Sequence, residues 1–144
     1  MAAILLVEDD PGDAELTITA LRACELDERD ITLVADGVEA IEHLRGADQA
    51  GEHHSSLPAV VLLDLKMPRM DGRAVLREMR SDEHLRHVPV VVLSSSRQDD
   101  DVCEAYALGA NAYVVKPVAF NEYLETVGHI AAFWTNINES PPLQ

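Results

Sequence analysis

The sequence predicts a three-layer α/β domain built on a five-stranded parallel sheet. Three observations lead there. Apolar runs of four to six residues recur five times along the chain, each followed by an amphipathic stretch of helical period. Most runs are apolar at successive positions, the pattern of strands covered on both faces. A regular β-α alternation of this kind folds by right-handed crossovers into a sheet with helices on both sides.

The strands are expected at Ala3–Val7, Ile31–Val34, Ala59–Leu63, Val90–Leu93 and Ala112–Val115. The helices are expected at Asp13–Leu26, Val38–Leu44, Arg73–Arg80, Asp100–Leu108 and Asn121–Asn136. In the first helix, Leu16, Ala20 and the Ala23–Cys24 pair make an apolar stripe, with Glu15 and Arg22 off it. Asp71 is placed to cap the third helix, and Gly72 permits a tight turn into it. Asp99–Asp100–Asp101 reads as a helix start. The segment Gly46–Pro58, "GADQAGEHHSSLP", is expected to be a surface loop, including His53 and His54. Pro141–Pro142 cannot continue a helix, so residues 138–144 read as a frayed tail.

With 144 residues the chain suits one domain. Eleven basic against 26 acidic residues give a formal charge of −15. That charge repels phosphate backbones and anionic lipid, so neither nucleic acid nor a membrane surface is an expected partner; a basic partner or a bound cation is. Cys24 and Cys103 stand far apart in no ligand-like spacing, which suits a reducing cytoplasm. No apolar run approaches the roughly 20 residues that cross a bilayer.

The acids sit where an open parallel sheet collects ligands, beyond the carboxyl ends of its strands. The first strand ends in Glu8, Asp9 and Asp10, the third at Asp64, the fourth at Ser94, and the fifth at Lys116 followed by Pro117. If the first strand is central, these ends converge. Carboxylates so close repel one another, and a hard divalent cation such as Mg²⁺ is the natural counter-ion. Metal, ammonium and hydroxyl around an aspartate make a site for a phosphoryl group, with the aspartate as nucleophile. Taken alone, Glu8, Asp9 and Asp10 also read as acids drawn to a helix N-terminus.

The segments "LLVEDD", "VVLLDLKMPRMDG", "VVVLSSS" and "GANAYVVKP" occur in that order. Together they resemble the signatures of bacterial response-regulator receiver domains, and the resemblance covers roughly residues 3–137 of the chain. It implies a flavodoxin-like (βα)5 sandwich with strand order 2-1-3-4-5, a receiver over residues 1–137 and no output domain. It implies that Asp64 accepts a phosphoryl group from a phosphohistidine. Asp9, Asp64 and the backbone carbonyl of Lys66 would ligate Mg²⁺, with Glu8 reaching it through water. Lys116 would pair with the phosphoryl oxygens, its bond to Pro117 being cis. Ser94 would swing toward the phosphoryl group and Tyr113 rotate inward behind it, with Ser95 offering a backbone contact. The role of Asp10 is less defined by the resemblance, because many receivers carry no acid there. The protein would be a cytoplasmic phosphoacceptor signalling protein, not an enzyme acting on another substrate, though it would take part in its own phosphotransfer and dephosphorylation.

"VEDDPGDAELT", the long segment before Pro58 and a Trp-bearing last helix are similar to the small regulators paired with bacterial phytochromes. That subfamily implies a light-regulated histidine kinase as donor and a tendency to dimerise. The last helix carries apolar residues from Phe120 to Ile137 at helical spacing, about 27 Å at helical rise. A five-residue strand covers only about 17 Å. Two readings stay open: a self-packed core helix, or an overhanging surface of Phe133, Trp134 and Ile137. Such a surface, shared with Val102 and Tyr106, would serve a homodimer or partner through helix 4, strand 5 and helix 5.

One residue marks a departure. Lys66, two after the acceptor, cannot accept a hydrogen bond and so cannot orient an attacking water; slow self-dephosphorylation follows. The same lysine argues against an aspartyl-phosphate hydrolase of the haloacid dehalogenase type, which wants an aspartate there. A flavin-binding domain is disfavoured because "EDDPGD" repels phosphate without a metal. A phosphate sink or relay intermediate for another kinase remains an alternative role within the family.

Overall fold

The structure, a computed structural model, describes residues 4–24, 26–48 and 57–141. Strands β1 (Ile4–Val7), β2 (Ile31–Val34), β3 (Val60–Leu63), β4 (Val90–Ser94) and β5 (Ala112–Val115) form one sheet in the order β2-β1-β3-β4-β5. Every neighbouring pair is parallel, with Ile4 opposite both Ile31 and Val60. The strand order therefore reverses beside β1. Strands β1, β3 and β4 are buried along their whole length, as their unbroken apolar runs predict. The edge strands β2 and β5 are only partly covered, because each lacks one neighbour.

Helices α1 (Pro11–Arg22), α2 (Gly37–Asp48), α3 (Gly72–Ser81), α4 (Asp99–Ala107) and α5 (Phe120–Ala132) connect and cover the strands. The two-residue period of the strands divides the core. Leu5, Val7, Val61, Leu63, Val90 and Val92 face one layer, with Leu44 of α2, Val75, Leu76 and Met79 of α3 and Ala105 of α4. Ile4, Leu6, Val60, Leu62, Val91 and Leu93 face the other, with Ala20 and Leu21 of α1 and Tyr123, Val127 and Ile130 of α5.

Several boundaries differ from the sequence expectation. α2 continues to Asp48, so the loop expected from Gly46 begins later; residues 49–56, with His53 and His54, lie outside the described residues. The buried stripe of α1 is Ala14, Thr17, Ala20 and Leu21, while Ala23 is exposed. Thr17 is admitted to the core because its hydroxyl is satisfied there, donating to the Asp13 carbonyl at 2.8 Å and sharing a 3.0 Å bond with the Tyr123 hydroxyl. The last helix does not run evenly to Asn136. After Ala132 it widens into a π-helical turn, Phe133–Ile137, closed by the Asn138 amide donating to the Phe133 carbonyl.

The connection from β3 to α3 shapes the site. Asp71 caps α3, its carboxylate accepting the Ala74 amide at 3.1 Å, as expected. A β-carbon on Gly72 would stand 2.4 Å from the Asp64 carbonyl oxygen, so only glycine lets the helix start this close to the strand end. Arg69 adopts the left-handed backbone conformation, φ 65°, and its guanidinium is held by Asp36 at 2.8 Å from the start of α2.

Candidate functional site

The parallel register brings the carboxyl ends of β1, β3 and β5 together. The Asp64 amide donates to the Val7 carbonyl at 3.1 Å, and the Glu8 amide donates to the Val34 carbonyl at 3.0 Å. The acids that follow β1 and β3 are thereby forced side by side. Glu8 is buried, Asp64 half-buried and Asp9 exposed, and each offers a carboxylate oxygen within 4.8 Å of the others. Two unit charges at that separation repel by about 3–4 kcal/mol at an effective dielectric near 20.

Lys116, carried into the site by β5, answers part of that charge. Its ammonium lies 2.6 Å from Glu8 Oε1, 2.8 Å from Asp13 Oδ2 and 3.4 Å from Asp64 Oδ2, and only 8% of the residue is exposed. Burial lowers its proton affinity, but the hydrogen bonds to Asp13 and Glu8 and the charges of Asp64 and Glu8 more than offset this, so it stays firmly protonated. Burial pushes the Glu8 carboxyl up to about 7; the Lys116 hydrogen bond opposes the shift and the Asp64 charge adds to it. One ammonium against Glu8, Asp9, Asp13 and Asp64 leaves the cluster net negative. Three hard oxygen donors open to solvent through Asp9 fit the donor chemistry of a divalent cation.

The other expected residues fall in differing places. Asp10 caps α1, its carboxylate accepting the amides of Gly12 at 2.8 Å and Asp13 at 3.1 Å, which supplies the role its sequence position left open. The exposed Lys66 sends its amide toward Asp64 Oδ1 at 3.4 Å. Ser94 ends β4 and is 2% exposed, but its hydroxyl oxygen accepts the Ser96 amide at 3.2 Å and so holds its own loop. Ser95 is exposed. The half-buried Tyr113 donates its hydroxyl to the Ser96 carbonyl at 2.9 Å. The Lys116–Pro117 bond is trans, a correction to the cis expectation: X–Pro bonds favour trans by about 0.5–1 kcal/mol unless a turn demands otherwise. Tyr106, Phe133 and Ile137 are exposed, Val102 half-buried. Trp134 is half-buried against the α1–α5 layer and meets Phe133 edge to face, with centroids 5.0 Å apart.

Two features escaped the sequence. Asp13 is the third partner of Lys116; an acid in the first turn beside the cluster was the available signal, but its partner lies 103 residues away. The other is Ser96. Its hydroxyl donates to Asp101 of α4, which in turn accepts from Arg73 of α3 at 2.7 Å, and Arg73 also pairs with Glu104. The β4–α4 loop is thus tied to the α3–α4 contact.

Residues 4–128 match the family model described as the response regulator receiver domain. The chain belongs to that family. This receiver is 41% identical over 138 residues to a probable methanogenesis regulatory protein, FilR2, of Methanothrix harundinacea, covering 96% of this chain and 86% of that one. It is 37% identical over 132 residues to the response regulator Rcp1 of Synechocystis, covering 91% of this chain and 87% of that one. The Mn²⁺-bound structure of Rcp1 superposes with a TM-score of 0.84 over 99% of this chain and 100% of that one. The phosphorylated cyanobacterial phytochrome response regulator RcpA, 38% identical, gives a TM-score of 0.84 over 98% and 99%. The receiver fold with strand order 2-1-3-4-5, and membership of the response regulators homologous to those of phytochromes, are thereby established, and with them a signalling protein phosphorylated on aspartate. Among the described residues no helix is long and apolar enough to cross a membrane.

Proposed function

We propose that Asp64 is the aspartate that accepts the phosphoryl group, from a phosphohistidine of a sensor histidine kinase of the bacteriophytochrome type, in the cytoplasm. The observation that carries this is the position of Asp64 at the end of a fully buried strand. Its carboxylate lies within 4.8 Å of Glu8 and Asp9 and 3.4 Å from the Lys116 ammonium. Asp64 forms the new oxygen–phosphorus bond as the phosphorus–nitrogen bond to the donor imidazole breaks, the electron pair leaving with the imidazole. Lys116 is the fixed cation beside the incoming oxygens. Ser94, with Ser95 behind it, lies on the neighbouring strand end; its hydroxyl oxygen accepts from the Ser96 amide, so its proton is available to donate to a phosphoryl oxygen once the side chain swings toward it. Tyr113 is the residue beside that movement.

Asp9, Asp64, the carbonyl of Lys66 and, through water, Glu8 would hold Mg²⁺. When bound, the ion neutralises the acids and the charge gathering on the transferred group. Phosphorylation then acts through a protein surface rather than through turnover of another substrate. The exposure of Tyr106 at 50%, Phe133 at 44% and Ile137 at 71% supports a homodimer or partner face, with Val102 and Trp134 beside it. The likeness to RcpA and Rcp1 supports the phytochrome donor.

Phosphotransfer from a panel of labelled histidine kinases, with Mg²⁺ and with chelator, tests the reading. Rapid labelling of the wild type by a phytochrome kinase, absent in Asp64→Asn, is expected. Equal labelling of Asp64→Asn would sink the assignment.

A further inference from the structure

We propose that Asp13 is a positioning residue that competes with the phosphorylation site for the ammonium of Lys116. The inference rests on Asp64 being the acceptor and extends it to a residue outside the metal-competent trio of Glu8, Asp9 and Asp64.

The ammonium has three protons to donate. Two are directed to Glu8 at 2.6 Å and Asp13 at 2.8 Å; the approach to Asp64, at 3.4 Å, is the longest of the three. A phosphoryl group on Asp64 adds acceptor oxygens and negative charge on the Asp64 side, and drawing the ammonium in from 3.4 Å toward that side lengthens its bond to one of the nearer partners. Exposure decides which. The Glu8 side chain is 2% exposed and would be left buried without its cation. The Asp13 side chain is 32% exposed, so water can take the place of the ammonium. Asp13 also stands in the first turn of α1, where the helix N-terminus stabilises a carboxylate. Releasing Asp13 therefore costs much less than releasing Glu8. Asp13 acts as a tether whose strength sets how readily Lys116 is delivered.

The test is the rate of phosphorylation by a small donor, phosphoramidate with Mg²⁺, at donor concentrations below saturation, together with the affinity for beryllofluoride as a phosphoryl mimic. Weakening the charge-assisted bond that holds Lys116 back is expected to speed Asp13→Asn by about tenfold and to tighten beryllofluoride binding by a similar factor. Asp13→Glu should stay near wild type. In a Lys116→Met background, Asp13→Asn should change neither quantity; beryllofluoride affinity provides the comparison where that background reacts too slowly to follow. Wild-type rates in Asp13→Asn would overturn the inference alone. So would the same gain without Lys116, which would mean that Asp13 merely repels the incoming anion. Failure of the wild type to take up phosphoryl on Asp64 would overturn the acceptor assignment and the inference together.

Discussion

Removing metal should make the stability of this receiver fall as pH rises from about 4.5 to about 7, and adding Mg²⁺ should erase that fall. Glu8 is the cause. Burial, with the Asp64 charge adding and the Lys116 hydrogen bond opposing, raises its carboxyl from 4.5 to about 7 in the folded protein. Between those values the folded state binds more protons than the unfolded state, so unfolding free energy declines with rising pH, by at most about 1.4 kcal/mol per pH unit. Lys116 adds no slope in this window: its raised proton affinity keeps it charged in both states until the pH approaches its unfolded value. Asp27, Asp36 and Asp101 are held below the usual carboxylate range, Asp27 and Asp36 chiefly by hydrogen bonds from arginines and Asp101 by one from Ser96. Their contribution is present above the unfolded value and is lost only as pH falls below it, outside the window. Mg²⁺ at 100 times its Kd stabilises by about 2.7 kcal/mol. For a domain of this size that is about 10 °C in Tm at neutral pH. The gain should shrink at pH 5, where the proton on Glu8 competes with the ion. The assay is thermal unfolding from pH 4.5 to 8 in chelator and in MgCl2, with Glu8→Gln and Asp64→Asn alongside. A metal-free slope that survives in Glu8→Gln, or an undiminished Mg²⁺ shift in Asp64→Asn, would refute the reasoning.

Three further outcomes are expected. Lys66→Asn should shorten the phosphorylated lifetime several-fold by supplying a side chain that can orient water; decay of labelled protein measures it, and an unchanged lifetime rejects it. Thr17→Val should cost about 1–2 kcal/mol in urea unfolding by orphaning the buried Tyr123 hydroxyl, and adding Tyr123→Phe should recover part of that loss because both ends are then apolar. Gly72→Ala should destabilise by about 1–3 kcal/mol and slow phosphorylation, since its methyl meets the Asp64 carbonyl; a variant that melts and reacts like the wild type would contradict the packing described.

The sequence alone determined the order and type of the elements and the end of the sheet where the chemistry lies. Those signals are local. Unbroken apolar runs mark strands buried on both faces, and Glu8, Asp64, Ser94 and Lys116 each follow directly on such a run. Once the runs pair in parallel, their ends must meet. Periodicity misplaced part of the buried stripe of α1, because a threonine scores as polar until its hydroxyl finds Tyr123 across the helix interface. The tertiary structure decided what no local pattern contains: that Lys116 reaches Asp13 across 103 residues of chain, that Ser94 is engaged by its own loop, that Asp101 joins Ser96 to Arg73, and that Arg69 keeps a left-handed backbone beside Asp36. Residue type states which bonds a side chain can make, but which of several acids a lysine holds depends on distance and burial, and these exist only after the sheet has closed.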